Sequence, residues 1–331
     1  MESSSHAAPG RGVSAVVAFL AGVVVAAQGR INGEVGAITG NGVLGAVLNF
    51  TVGLLILLAI VFAQPALRGA LLSLPRLVRG GQLAWWALTG GVGGAIYVTA
   101  QSTTVAVLGV ALFTVATVAG QTGGGLVVDR FGLGPGGRVP VTVWRVAAAA
   151  LAIAAVWVAT GGREDDGGGV SVPFLLLALA AGVAGSFQVG VNGRVSAATR
   201  QVLVATLVNF AVGLLTLFLI LGVQAVVDPD GVGTLAPVFD RPWLLVAGGM
   251  GIVFVAGSAW AVKTLGVLLV GLVVLAGTLV GAVAVDLVVP TEGAAVNGFL
   301  LAGIALTFAS VGLAVMRRRV VEPQRPPAAR P

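Results

Sequence analysis

Two carboxamides four residues apart, Gln28 and Asn32, share one side of a helix, and the same pair recurs as Gln188 and Asn192. Each pair lies in an apolar run. There an amide without a hydrogen bond costs roughly 2 kcal/mol or more, so these groups must face protein or water. Two compatible uses follow: hydrogen bonds that join helices, or the lining of a polar cavity. Asn49 and Asn209 stand about two helical turns into the runs that follow, deeper than the first four, and are the better candidates for contact with a solute. Tyr97, the single tyrosine, lies in the middle of another run and its hydroxyl needs a partner there; Gln121 has the same requirement. These eight residues can recognise a neutral or zwitterionic molecule. Asp129 and Asp286 fall at corresponding helix ends, where the macrodipole disfavours a carboxylate. They are expected to be solvated loop residues, with ion or proton coupling as the alternative. Arg145, a few residues inside its run, is expected to snorkel or to pair with Asp129 rather than to bind an anion.

Other chemistry is excluded by what the chain lacks. It has no cysteine and one histidine, His6, in a polar N-terminal tail. Zinc sites and Ser-His-Asp catalysis are therefore not expected, and no nucleophile-base pair stands inside an apolar run. The single lysine, Lys263, follows Trp260-Ala261-Val262 rather than a glycine-rich phosphate loop, so ATP hydrolysis by this chain is not expected. No cofactor and no metal are called for.

The elements that carry these residues are membrane spans. Of 331 residues 57% are hydrophobic and 9% charged, against roughly 25% charged in a soluble protein. A bilayer-spanning helix needs about 20 apolar residues. Ten such runs are read, at about 13–31, 42–63, 83–103, 105–128, 139–160, 172–193, 202–226, 242–261, 265–288 and 296–316. Prolines, Pro65, Pro75, Pro140, Pro173, Pro242 and Pro290 among them, fall between or at the ends of these runs. With the N-terminus in the cytoplasm, fourteen of the eighteen Lys and Arg residues sort to that side, and both termini are inside. The tryptophans, all near run ends, read as interfacial anchors. The basic residues are spread over short loops and a tail, so topology accounts for the net charge of +6 and nucleic acid is not an expected partner.

A repeat organises the runs. Residues 18–58 align with 178–218 at a constant offset of 160, with 17 of 41 pairs identical, including Gln28/Gln188, Asn32/Asn192 and Asn49/Asn209. Weaker matches continue through Trp85/Trp243, Gly90-Gly91/Gly248-Gly249, Leu108-Gly109/Leu265-Gly266, Gly120/Gly277, Gly124/Gly281 and Asp129/Asp286. The expected organisation is a tail at 1–12, a five-helix repeat at 13–160, an outer linker at 161–171, a second five-helix repeat at 172–316 and an Arg/Pro-rich tail at 317–331. Five spans per half invert the second copy relative to the first, the arrangement of alternating-access transporters. The repeat also marks the first run as a fold element rather than a cleaved leader.

The Q-x-x-x-N of the first run in each half, the N-F-x-V-G-L-L of the second (49–55 and 209–215), the G-G-x-G-G of the third and the V-D-R-F-G that ends the fourth resemble the drug/metabolite transporter superfamily, in its YdcZ-type branch. The resemblance covers about 13–316 and looks like two five-helix half-transporters fused in one chain. It implies a ten-helix, all-α bundle around a central solute cavity. The second half departs from the pattern, with Thr278 in place of Gln121 and no Arg-Phe-Gly after Asp286. The function expected is secondary, non-ATP transport of a small metabolite or drug-like solute across a bacterial-type inner membrane. Alternatives are translocation of a lipid-linked intermediate and a non-transporting membrane subunit. Membrane lipids are the other expected partners, and two fused halves remove any need to dimerise.

Overall fold

In the computed structural model, which describes residues 10–161, 171–291 and 295–316, the chain is helical throughout, with no strand among those residues. The expected tails and linker, 1–12, 161–171 and 317–331, lie largely outside the described residues. The long helices are α1 (Arg11–Thr39), α2 (Gly42–Ala63), α4 (Gly90–Phe131), α5 (Val143–Thr160), α6 (Val172–Thr199), α7 (Val202–Val227), α9 (Val246–Leu265), α10 (Val267–Val288) and α11 (Gly298–Met316). Two shorter ones are α3 (Pro65–Arg79) and α8 (Ala236–Phe239). Among the described residues nine helices are long and apolar enough to cross a membrane. Local chemistry sets their ends. Asn41 caps α2, its Oδ1 accepting from the Val43 and Leu44 N–H groups. Pro65 then stops α2 by denying Gln64 a helical backbone.

The third and fourth runs meet in α4, which is broken at Gly109 rather than near residue 104. Gly109 has φ 77° and ψ 163°, a conformation open essentially to glycine alone. There the chain doubles back. The Tyr97 and Phe113 ring centroids are 5.9 Å apart, whereas sixteen residues of straight helix would separate them by about 24 Å. Gly266 repeats the device between α9 and α10, with φ 78° and ψ 161°. The segment read as a basic loop after α2 is instead helix α3, whose Leu67 and Leu74 are buried.

The halves are interleaved rather than laid side by side. α1 packs on α9 and α10, and correspondingly α6 packs on α4. The contacts match residue for residue. A Cβ on Gly22 would meet the Val274 carbonyl and Thr278 N–H; one on Gly182 would meet the Thr117 carbonyl and Gln121 N–H. Gly277 lies against the Phe19 carbonyl as Gly120 lies against that of Leu179. In each case no side chain fits, so the glycines allow backbones to touch. The same contacts correct the sequence pairing by one residue: Gly91, not Gly90, corresponds to Gly248, since each rests on its Asn-to-Gly neighbour (Asn209 and Gly213; Asn49 and Gly53).

Candidate functional site

Helices α1 and α2 bring Asn32 and Asn49 together, the Asn49 Nδ2 donating to Asn32 Oδ1 at 2.9 Å. Asn32 Nδ2 in turn donates to Gln101 Oε1 on α4 at 2.7 Å. All three residues are buried. Gln28, one turn before Asn32, donates to the Ala247 carbonyl at the start of α9 at 2.9 Å. Sequence reasoning did not single out Gln101. It stands four residues after Tyr97, on the same helix face, a spacing that could have found it.

The second half repeats the pair and not the triad. Asn192 Nδ2 donates to Asn209 Oδ1 at 2.9 Å, and Gln188 lies against α4, its Nε2 2.9 Å from where a Gly94 Cβ would be. The position corresponding to Gln101 is Ser258, whose buried Oγ has no hydrogen-bond partner. The bond directions also differ: Asn32 accepts from Asn49 because its own amide is given to Gln101, while Asn192 donates to Asn209. The Asn and Gln101 side chains are thus hydrogen-bonded to one another, three joined in one half and two in the other.

That difference extends along a whole seam. α1 and the start of α2 run tightly beside α4: a Cβ on Gly33 would stand 2.8 Å from Val105 Cβ, one on Gly36 1.8 Å from the Ser102 carbonyl, and one on Gly42 2.0 Å from Thr103 Oγ1. Their counterparts on α6 and α7 are Gly193, Ser196 and Val202, and α6 makes no comparable contact with α9. Val189, which corresponds to Gly29, is 72% exposed, whereas a Cβ on Gly29 would strike the Gln101 amide at 2.9 Å. The closed end is also laced from outside. Asn41 Nδ2 donates to the Gly231 and Val232 carbonyls, Thr234 N–H to the Thr39 carbonyl, and Arg241 pairs with Glu34 at 2.9 Å. A crevice between Asn32, Asn49 and the start of α9 leaves no room for a water molecule.

Tyr97 and Gln121 converge elsewhere, on Gly185: a Cβ there would be 3.5 Å from both side chains. The buried Tyr97 hydroxyl lies near the Thr117 side chain, and Gln121 is exposed. Asp129, expected to be a solvated loop residue, lies in the last turn of α4 and pairs with Arg145, one of the two alternatives read for that arginine. Asp286 does not behave as expected. It is 4% exposed rather than solvated, and its carboxylate accepts from the Val110 N–H at 2.9 Å and the Ala111 N–H at 2.8 Å. The turn at Gly109 opens a helix N-terminus inside the protein, and a carboxylate is what satisfies such donors. No group of three potential metal ligands occurs among the described residues.

This arrangement, glycine-seamed apolar helices with carboxamide clusters between them, can be set against known proteins. No curated protein matches the chain. A solved structure titled only "Crystal structure of protein" is 21% identical, covers 95% of this chain and 99% of its own, and superposes with a TM-score of 0.51; that likeness is one of fold. The family described as "Putative inner membrane exporter, YdcZ" matches twice, at residues 13–158 and 173–313, once for each repeat. The chain thus belongs to the YdcZ-type inner membrane exporters of the drug/metabolite transporter superfamily, a multi-pass membrane transporter carrying two copies of the family unit.

Proposed function

We propose that the chain is a secondary transporter that exports a small metabolite or drug-like solute by alternating access. On this reading α4, reversing at Gly109, contributes two spans, so the nine long helices make ten passes in two inverted halves, with both termini in the cytoplasm. The observation that carries the reading is the unequal pair of seams. Contacts between the halves occur twice, residue for residue, yet the α1–α4 seam is shut while the corresponding α6–α9 seam is apart. Two copies of one sequence pattern in two conformations are what a protein has when it opens to one side at a time. The sorting of arginines puts the shut seam at the outer end, so this state opens inward. A second state then has Asn192, Asn209 and Ser258 gathered while Asn32 and Gln101 separate.

The solute would bind between the two Asn pairs, with Gln28, Gln188, Tyr97 and Gln121 around it. The carboxamides carry no net charge, which suits neutral or zwitterionic solutes. Asp129 and Asp286 were candidates for ion coupling together with Arg145. Their engagement with Arg145 and with two backbone N–H groups favours a structural role. Uptake into proteoliposomes containing only this chain, over a panel of amines, amino acids, sugars and organic acids with and without a pH gradient, tests the reading. Saturable flux that falls at least about tenfold in Asn49→Leu or Asn209→Leu supports it. No flux over the panel from folded protein moves the weight to a lipid-linked substrate, and flux unchanged in both variants removes the Asn pairs from the site.

A further inference from the structure

We propose that α3 is a surface-lying binding site for the headgroups of anionic phospholipids. The helix is separated from the end of the membrane-crossing α2 by Gln64 alone, so it lies at the level where hydrocarbon gives way to headgroups. One face is spent on the protein: Leu67 and Leu74 are buried, and Leu71 and Val78 pack on the same apolar cluster with residues of α2, α6 and α7. The opposite face carries Arg68, Arg76 and Arg79, at spacings of eight and three residues that keep them on one stripe. All three are exposed, and none is in an ion pair among the described residues.

Leu72 lies on that same stripe, between the arginines, and is 73% exposed. A leucine flanked by cations, with no protein over it, fits a surface where alkyl chain and phosphate are both within reach. An arginine there would bind a phosphate through a planar pair of N–H donors. Trp85, 70% exposed and a few residues beyond the helix, adds an amphipathic ring at the same boundary. Polyanionic nucleic acid or a soluble acidic protein would satisfy the arginines and leave Leu72 in water. The charge pattern therefore commits to lipid. The site stands apart from the transport reading, since it needs only that α2 cross the bilayer and α3 follow it.

The absence of cysteine from the chain makes a clean test available. The full-length Leu72→Cys protein, labelled with a bimane fluorophore, is placed in vesicles of phosphatidylcholine containing a small fraction of brominated lipid. Brominated phosphatidylglycerol is expected to quench the label with an apparent association at least about fivefold stronger than brominated phosphatidylcholine. In the Arg68→Gln, Arg76→Gln, Arg79→Gln background the ratio is expected to fall to about one, with quenching by phosphatidylcholine retained. Retained quenching shows that the helix is still folded onto the membrane, and the same label on the protein with its arginines intact serves as the internal comparison. Equal quenching by both lipids in the parent, a preference that survives the triple substitution, or no quenching by either lipid overturns the proposal.

Discussion

Phe50 and Phe210, the same residue of the two repeats, lie against each other with ring centroids 4.9 Å apart and planes inclined by 31°. A residue that meets its own counterpart marks the axis about which the halves are related. Each ring also fills the space left by the other half's glycine: a Cβ on Gly53 would come within 2.2 Å of the Phe210 ring, and one on Gly213 within 2.2 Å of the Phe50 ring. The axis is thus held by two equivalent knob-and-hole contacts.

Gly53→Ala and Gly213→Ala should therefore behave alike. Each forces a ring to move in a packed site, at a cost of about 1–3 kcal/mol, and trimming that ring relieves part of it, since the new Cβ also stands 2.8 Å from the Gly248 carbonyl in one case and 3.0 Å from that of Gly91 in the other. Melting temperatures in detergent check this. Gly53→Ala is expected to be partly rescued by Phe210→Leu and not by Phe50→Leu, with the reverse for Gly213→Ala.

The two paired aspartates separate by the burial of what they hold. Asp286→Ala strands two backbone N–H groups inside the bundle, worth about 1–3 kcal/mol each. Asp129→Ala breaks an ion pair whose side chains are partly exposed, worth no more than about 1 kcal/mol. Thermal unfolding of the two variants is expected to rank them in that order; equal losses would mean that Asp286 is not the cap of the helix beginning at Val110.

A backbone asymmetry offers a stabilising change. α1 ends on Gly40 with φ 71°, and at the corresponding place α6 ends on Arg200 with φ 56°. A side chain in that left-handed conformation costs roughly 1–2 kcal/mol. Arg200→Gly is expected to raise stability by about 1 kcal/mol and Gly40→Arg to lower it by a similar amount, measured by the same melting experiment.

Alternating access predicts which buried positions become reachable. Val189, exposed beside the parted α6–α9 seam, and Val105, fully buried in the α1–α4 seam, each replaced by cysteine, report on opposite states. Val189→Cys is expected to react quickly with a water-soluble maleimide. Val105→Cys is expected to react only under a solute gradient that populates the other state, with Val189→Cys slowing in step. Labelling of Val105→Cys that never rises would tie the chain to one conformation.

Much of this was legible in one dimension. Spans could be read because bilayer thickness demands about 20 apolar residues per helix, and the repeat could be read because both copies keep Gln, Asn and Gly at the same intervals. The pairing of Asp129 with Arg145 was one of two readings open to Arg145, snorkelling being the other, and the fold selected it. What tertiary structure decided depends on distances the chain order conceals. The acceptor for the Asn32 amide is Gln101, 69 residues away, and the N–H groups that donate to Asp286 are 175 and 176 residues away. Basic residues read as a loop became α3 because Leu67 and Leu74 found the ends of α2, α6 and α7 to pack against. Most of all, one seam is shut and the other parted at positions where the copies differ: Gly29, Gly36 and Gly42 let backbones close on α4, whereas Val189, Ser196 and Val202 stand at the corresponding places. The sequence shows those differences, but which helices they bring together or hold apart depends on contacts between segments distant in the chain.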